Sequence, residues 1–113
     1  MRTVSGDILL PANAPTTKAG QMVVEVRDVS LADAPSVVIA EQQMADVQVR
    51  PHGRIPFRLA VPEVAANRSL SVRVHVSMDG SGRVQSGDLL TTASYPVANV
   101  GDVESLVVRV NSI

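Results

Sequence analysis

From Leu70 to Met78 the chain alternates without a fault. Leu70, Val72, Val74, Val76 and Met78 fall on one side; Ser71, Arg73, His75 and Ser77 fall on the other. An extended strand points successive side chains to opposite faces, so this pattern predicts a strand with one face in a core and one in water. The period recurs. Ile55, Phe57, Leu59 and Val61 alternate with Pro56, Arg58 and Ala60. Met22, Val24 and Val26 alternate with Val23, Glu25 and Arg27, and Leu106, Val108 and Val110 alternate with Val107 and Arg109. Valine supplies 21 of the 113 residues. Its β-branch restricts rotamers in a helix and suits a pleated, half-buried surface.

Three weaker segments complete the strand set. Val4–Leu10 stops at Pro11, and Leu89–Tyr95 stops at Pro96. Val37–Met44 begins apolar and turns polar at Glu41-Gln42-Gln43, so a short helix stays open as its alternative. Turn residues separate the segments: Asn13-Ala14-Pro15, Ala19-Gly20, Pro51-His52-Gly53, Ser86-Gly87-Asp88 and Asn99-Val100-Gly101. Asp79-Gly80, directly after the best alternation, is a hairpin-turn candidate. The expected fold is all-β, a small antiparallel β-sandwich of seven or eight strands, with residues 1–113 as a single domain. Its predicted core is Val24, Val26, Phe57, Leu59, Val72, Val74, Val76 and Val108. Pro56 lacks an amide proton, so its strand starts there or lies at an edge.

Composition removes several classes of function. Ten basic residues against eleven acidic ones leave a charge of −1, without the basic excess that a nucleic-acid binder needs. Phe57 and Tyr95 are the only aromatics besides histidine, too few for base-stacking platforms. There is no cysteine, so disulfides and thiolate chemistry are excluded. No run of about 18 apolar residues exists, so no transmembrane helix is expected. His52 and His75 lack a metal-ligand spacing and read as surface histidines. No nucleophile elbow and no phosphate loop occurs; Gly80-Ser81-Gly82-Arg83 is a turn. The expectation is a protein without enzymatic activity, catalytic residues, cofactor or bound metal. Outward Arg27, Arg58, Arg73 and Arg109 would form a stripe if their strands were neighbours, with Glu25 and Glu104 near two of them in sequence.

The most distinctive stretch is Asp28-Val29-Ser30-Leu31-Ala32-Asp33-Ala34-Pro35. Short polar side chains satisfy local amides and Pro35 blocks a helix, so Asp28, Ser30, Asp33 and Pro35 read first as a structural connection between two strands.

Together with Val26-Arg27 before it and Val38-Ile39-Ala40-Glu41 after it, this stretch resembles the core of the YbaY/YscW-like bacterial lipoprotein family. Ile55-Pro56-Phe57-Arg58-Leu59 looks like the family's PF-x-L strand, and Leu90-Thr91-Thr92-Ala93-Ser94-Tyr95-Pro96-Val97 like its closing T-x-x-x-Y-P-V. Ser71-Val72-Arg73-Val74-His75-Val76 takes the place of its Y-x-V-x-A-x-I strand, and Val4-Ser5-Gly6-Asp7-Ile8 that of its opening V-x-G-x-V. The match runs over residues 3 to 98. It implies a small β-sandwich of the bacterial envelope, some of whose relatives are pilotins that escort secretin subunits of type III secretion. The family's lipidated N-terminal cysteine is missing and its strand aromatics are partly replaced. It offers no catalytic residue.

The resemblance implies a non-catalytic envelope binding or chaperone module, pilotin-like, holding a secretin-like protein segment at an edge strand or in a groove. The alternative is a structural accessory domain with no dedicated ligand site. A close-packed valine and leucine core leaves little room for an internal pocket, so the expected mode is edge pairing. Val4–Leu10 and Val37–Met44, which lack an internal proline, are the candidate edges. Removal of an export signal would make the location periplasmic or outer-membrane associated; without export it would be cytoplasmic. The oligomeric state is left open.

Overall fold

The computed structural model describes residues 1–31 and 33–113. Those residues contain no helix and nine strands: β1 (Arg2–Leu9), β2 (Thr17–Asp28), β3 (Val37–Val49), β4 (Arg54–Val61), β5 (Leu70–Ser77), β6 (Leu89–Leu90), β7 (Pro96–Val97), β8 (Val103–Arg109) and β9 (Asn111–Ser112). One sheet has the order β4-β1-β8. The other has the order β3-β2-β5-β6-β9, with β7 also paired to β5. All eight residues of the predicted core are buried, and they form one cluster fed by both sheets. The all-β expectation holds, with nine strands rather than seven or eight.

The second sheet is built around β2 and β5, the two most regular alternations. They pair antiparallel with Val24 opposite Val74 and Val26 opposite Val72, so the valines share the inner face. On the other side of β2 runs β3, which is a strand along its full length and not a helix. Ala40, Gln42 and Met44 stand opposite Val26, Val24 and Met22. Gln42 therefore occupies an inward position, where its Oε1 accepts the Arg58 amide of β4 at 3.3 Å. This cross-sheet bond gives a polar side chain a place on the inner face.

Three local readings change. The expected antiparallel arrangement has one exception: β1 pairs with β8 in parallel. Parallel neighbours need a crossover, and here nearly the whole chain intervenes. Gly6 permits the approach, since a Cβ there would fall on the Leu106 carbonyl. The segment Leu89–Tyr95 is interrupted as a strand. The Thr91 hydroxyl takes the Val74 amide at 3.3 Å, and pairing resumes only at Pro96, opposite Ser71. Asp79-Gly80 does make a turn, with the Gly80 amide on Ser77 O at 3.2 Å. It does not close a tight hairpin, because the returning strand starts at Leu89.

Candidate functional site

Edge strands decide what this protein can offer a partner, because they carry unpaired backbone groups. Val4–Leu10 is not an edge. It lies within β1 and the following Leu10, and β1 sits between β4 and β8. β4 is an edge, as Pro56 suggests, and Gln42 also occupies its Arg58 amide. β8 is blocked at Arg109 by the Tyr95 hydroxyl, which accepts the Arg109 amide at 3.0 Å and donates to its carbonyl at 3.3 Å. One phenol thus plays the part of a neighbouring strand. β3 is different. It has one strand partner among the described residues, β2, and contains neither proline nor lysine.

At the start of β3 the surface is apolar. Leu31 is 69% exposed, Val37 62% and Val38 40%. Beside them lies a groove of about 270 Å³, walled by Leu31, Pro35, Val37 and Ile39, with Asp28 and Arg68 at its rim. Exposed apolar side chains gathered at a strand edge are the usual mark of an interaction surface.

The Asp28–Pro35 connection sets the shape of this groove; Ala32 lies outside the described residues. Asp28 Oδ1 accepts the Ser30 amide at 3.0 Å and also the Ser30 hydroxyl. Its Oδ2 pairs with Arg68 Nε at 3.3 Å. Ser30 Oγ accepts the Ser69 amide at 2.9 Å, tying the connection to the start of β5. The Ser30 hydroxyl above all and then its amide hold the Asp28 carboxyl below its usual pKa; burial opposes them, and Arg68 adds a lesser downward pull. Asp28 and Ser30 are therefore brought together. Asp33 and Pro35 are exposed, Pro35 on the groove wall.

The outer face of the second sheet is polar. Glu25, only 7% exposed, lies directly opposite Arg73 and two residues from Arg27 on its own strand. Its Oε1 meets Arg73 Nη1 at 3.1 Å and its Oε2 meets Arg27 Nη2 at 3.2 Å. Arg58 and Arg109 lie exposed on the other sheet, so the four arginines form no single stripe.

His75 is a correction. It points outward, as its place in β5 requires, yet it is 4% exposed because the Met78–Asp88 connection folds over it. Its Nε2 lies 2.8 Å from Asp88 Oδ2. Asp88 also accepts the Met78 amide at 3.0 Å and the Gln85 amide at 3.1 Å. Burial alone would raise the Asp88 carboxyl; the hydrogen bonds from His75 and the two amides outweigh it and hold the pKa below the usual value. Nothing in the strand alternation reveals this contact, since Asp88 reaches His75 through tertiary folding. Among the described residues no three His, Asp or Glu side chains gather as a metal cage requires.

Among the described residues the fold is all-β, two sheets with the long strand β3 at an edge beside an apolar groove. A family model described as the type III secretion system lipoprotein chaperone YscW matches residues 1–108, and the chain belongs to that family. Its structure is similar to that of an alternative pilotin from the type II secretion system of Vibrio cholerae, at 26% identity and a TM-score of 0.64 over 99% of this chain and 98% of that one. Among curated proteins a search found no match.

Proposed function

We propose that this protein is a non-catalytic chaperone of the bacterial envelope, of the pilotin type, which holds a secretin-like protein segment along the outer edge of β3. The observation that carries this reading is the contrast between edges. β4 lacks a donor at Pro56 and has its Arg58 amide taken by Gln42, and β8 is met at Arg109 by Tyr95, whereas β3 keeps its outer side unpaired among the described residues, next to exposed Leu31, Val37 and Val38. An extended segment added there would gain backbone hydrogen bonds from the strand, and its apolar side chains would enter the groove at Leu31 and Pro35. Family membership and likeness to a pilotin support a protein partner and an envelope location.

The test is amide hydrogen exchange with and without a peptide from the C-terminal region of a secretin. Slowed exchange along Val37–Met44 is the expected result. Binding that protects only residues remote from β3, or no binding by any secretin peptide, would refute the edge mode. In the second case a structural accessory role becomes the better reading.

A further inference from the structure

On the outer face, over β2 and β5 and beside Ser36 just ahead of β3, lies a second depression of about 210 Å³ rich in hydroxyl and guanidinium groups. Arg27 and Arg73 flank it, with the hydroxyls of Ser36, Ser71 and Thr91 around them. Each hydroxyl already accepts a protein proton: Ser36 from Arg27 Nη1 at 2.7 Å, Ser71 from the Tyr95 amide at 3.1 Å, Thr91 from the Val74 amide at 3.3 Å. Among the described residues none of the three donates its own proton to a protein acceptor. A hydroxyl carries one proton to give, so three remain available for a ligand. The two guanidiniums meet one carboxylate, Glu25, with Glu41 opposite it on the same face; among the described residues Arg73 gives Glu25 only its Nη1, so its other guanidinium protons stay available. Three hydroxyl protons and the free guanidinium protons of Arg73 converge as donors on one depression, which suits an anionic acceptor.

We propose that this pocket binds a carboxylate of the protein segment held on β3. The inference rests on the edge reading above and adds the chemistry of the partner. Continuity favours a protein carboxylate: Pro35, Ser36 and Val37 are consecutive, with Pro35 and Val37 lining the apolar groove and Ser36 the donor pocket. A segment with apolar side chains in the first can place an acidic group in the second. A carboxylate accepts bidentate guanidinium contacts together with hydroxyl donors. It can come from an Asp or Glu side chain or from the end of a chain.

The experiment is an amide-resolved NMR titration of the full chain with four probes. They are a short Val/Ser/Thr peptide blocked at both ends, the same peptide with a free C-terminal carboxylate, the same blocked peptide carrying one glutamate, and inorganic phosphate. The expected result is movement of the Ser36, Ser71 and Thr91 amides with one or both carboxylate peptides, and not with the acid-free one. Response to the free terminus alone or to glutamate alone identifies the source. Arg73→Gln is expected to weaken that binding about tenfold, and Glu25→Gln, which frees both guanidiniums, to strengthen it severalfold. Ser36→Ala leaves every charge in place and is expected to weaken it about threefold, which keeps the test valid if the arginine variant fails to fold. Equal responses to acid-free and carboxylate peptides would overturn the proposal, as would a response to phosphate alone. Carboxylate peptides that leave the pocket untouched while a secretin peptide still protects Val37–Met44 would overturn this inference and leave the edge reading standing. Loss of both would refute both.

Discussion

Replacing Asp88 with alanine tests whether one buried carboxylate fastens the Met78–Asp88 connection over the second sheet. Asp88 is 2% exposed and accepts three hydrogen bonds, from His75 Nε2 and from the Met78 and Gln85 amides. Bonds to a charged acceptor contribute about 1.5–3 kcal/mol each, but their sum overstates the loss. The connection can open in the variant and give both amides to water. Opening also uncovers His75, so all three partners regain water and the net loss stays well below the sum. The expected cost is about 3 kcal/mol, a large share of the roughly 5–15 kcal/mol that hold such a domain. For a chain of this size that lowers the thermal midpoint by roughly 12 °C. Asp88→Asn keeps one carbonyl acceptor and is expected to lose about half as much. The chain has no tryptophan, so urea and thermal unfolding are best followed by far-ultraviolet circular dichroism. Hydrogen exchange adds a local readout: Ser77–Gly87 amides should lose protection in the alanine variant while β2 keeps its own. An Asp88→Ala protein with an unchanged midpoint would show that the connection is held by its other contacts.

Acid should destabilise the fold in a defined window. Asp28, Asp79 and Asp88 all titrate below the ordinary aspartate value; Asp79 is held down first by the Ser81 amide and then by the Gln85 and Ser81 side chains. The unfolded chain therefore binds protons first, so their stabilisation is complete above about pH 5 and is lost as pH falls through and below about 4. Urea midpoints measured from neutral pH down to pH 3 check this; a midpoint rising on acidification would contradict it. Val74→Asp should unfold the protein, because Val74 is fully buried and an unpaired carboxylate there costs several kcal/mol; a folded variant with a wild-type midpoint would remove Val74 from the core. Gly6→Ala should displace β8, since the added methyl meets the Leu106 carbonyl, and proteolysis of the Val103–Arg109 segment should accelerate. Tyr95→Phe should cost about 1 kcal/mol and raise amide exchange at Arg109, whose proton the phenol accepts.

The strands and core were legible wherever local alternation and burial agree. Val72, Val74 and Val76 alternate in the sequence and are buried in the fold, because a strand's side-chain period is a property of its own backbone. The polar cluster Glu41-Gln42-Gln43 obscured β3 for the converse reason. Gln42 is inward by its register opposite Val24, and that place suits a polar side chain because β4 brings the Arg58 amide within reach. No local signal carries that proximity.

Sequence by itself determined that this chain is β-structured, which valines and leucines form its core, that it has no thiol chemistry, and that its Asp28–Pro35 stretch resembles one family. Those are consequences of side-chain chemistry and of a period of two. Tertiary structure alone decided that β1 is central and β3 open, because the order of strands in a sheet depends on which distant segments meet. It also decided that His75 is covered by Asp88, and that Arg27 and Arg73 converge on Glu25 while Arg58 and Arg109 do not. A strand's pattern tells which face is inside, but its neighbours are chosen by the whole chain, and the edge left without a neighbour is where a partner can bind.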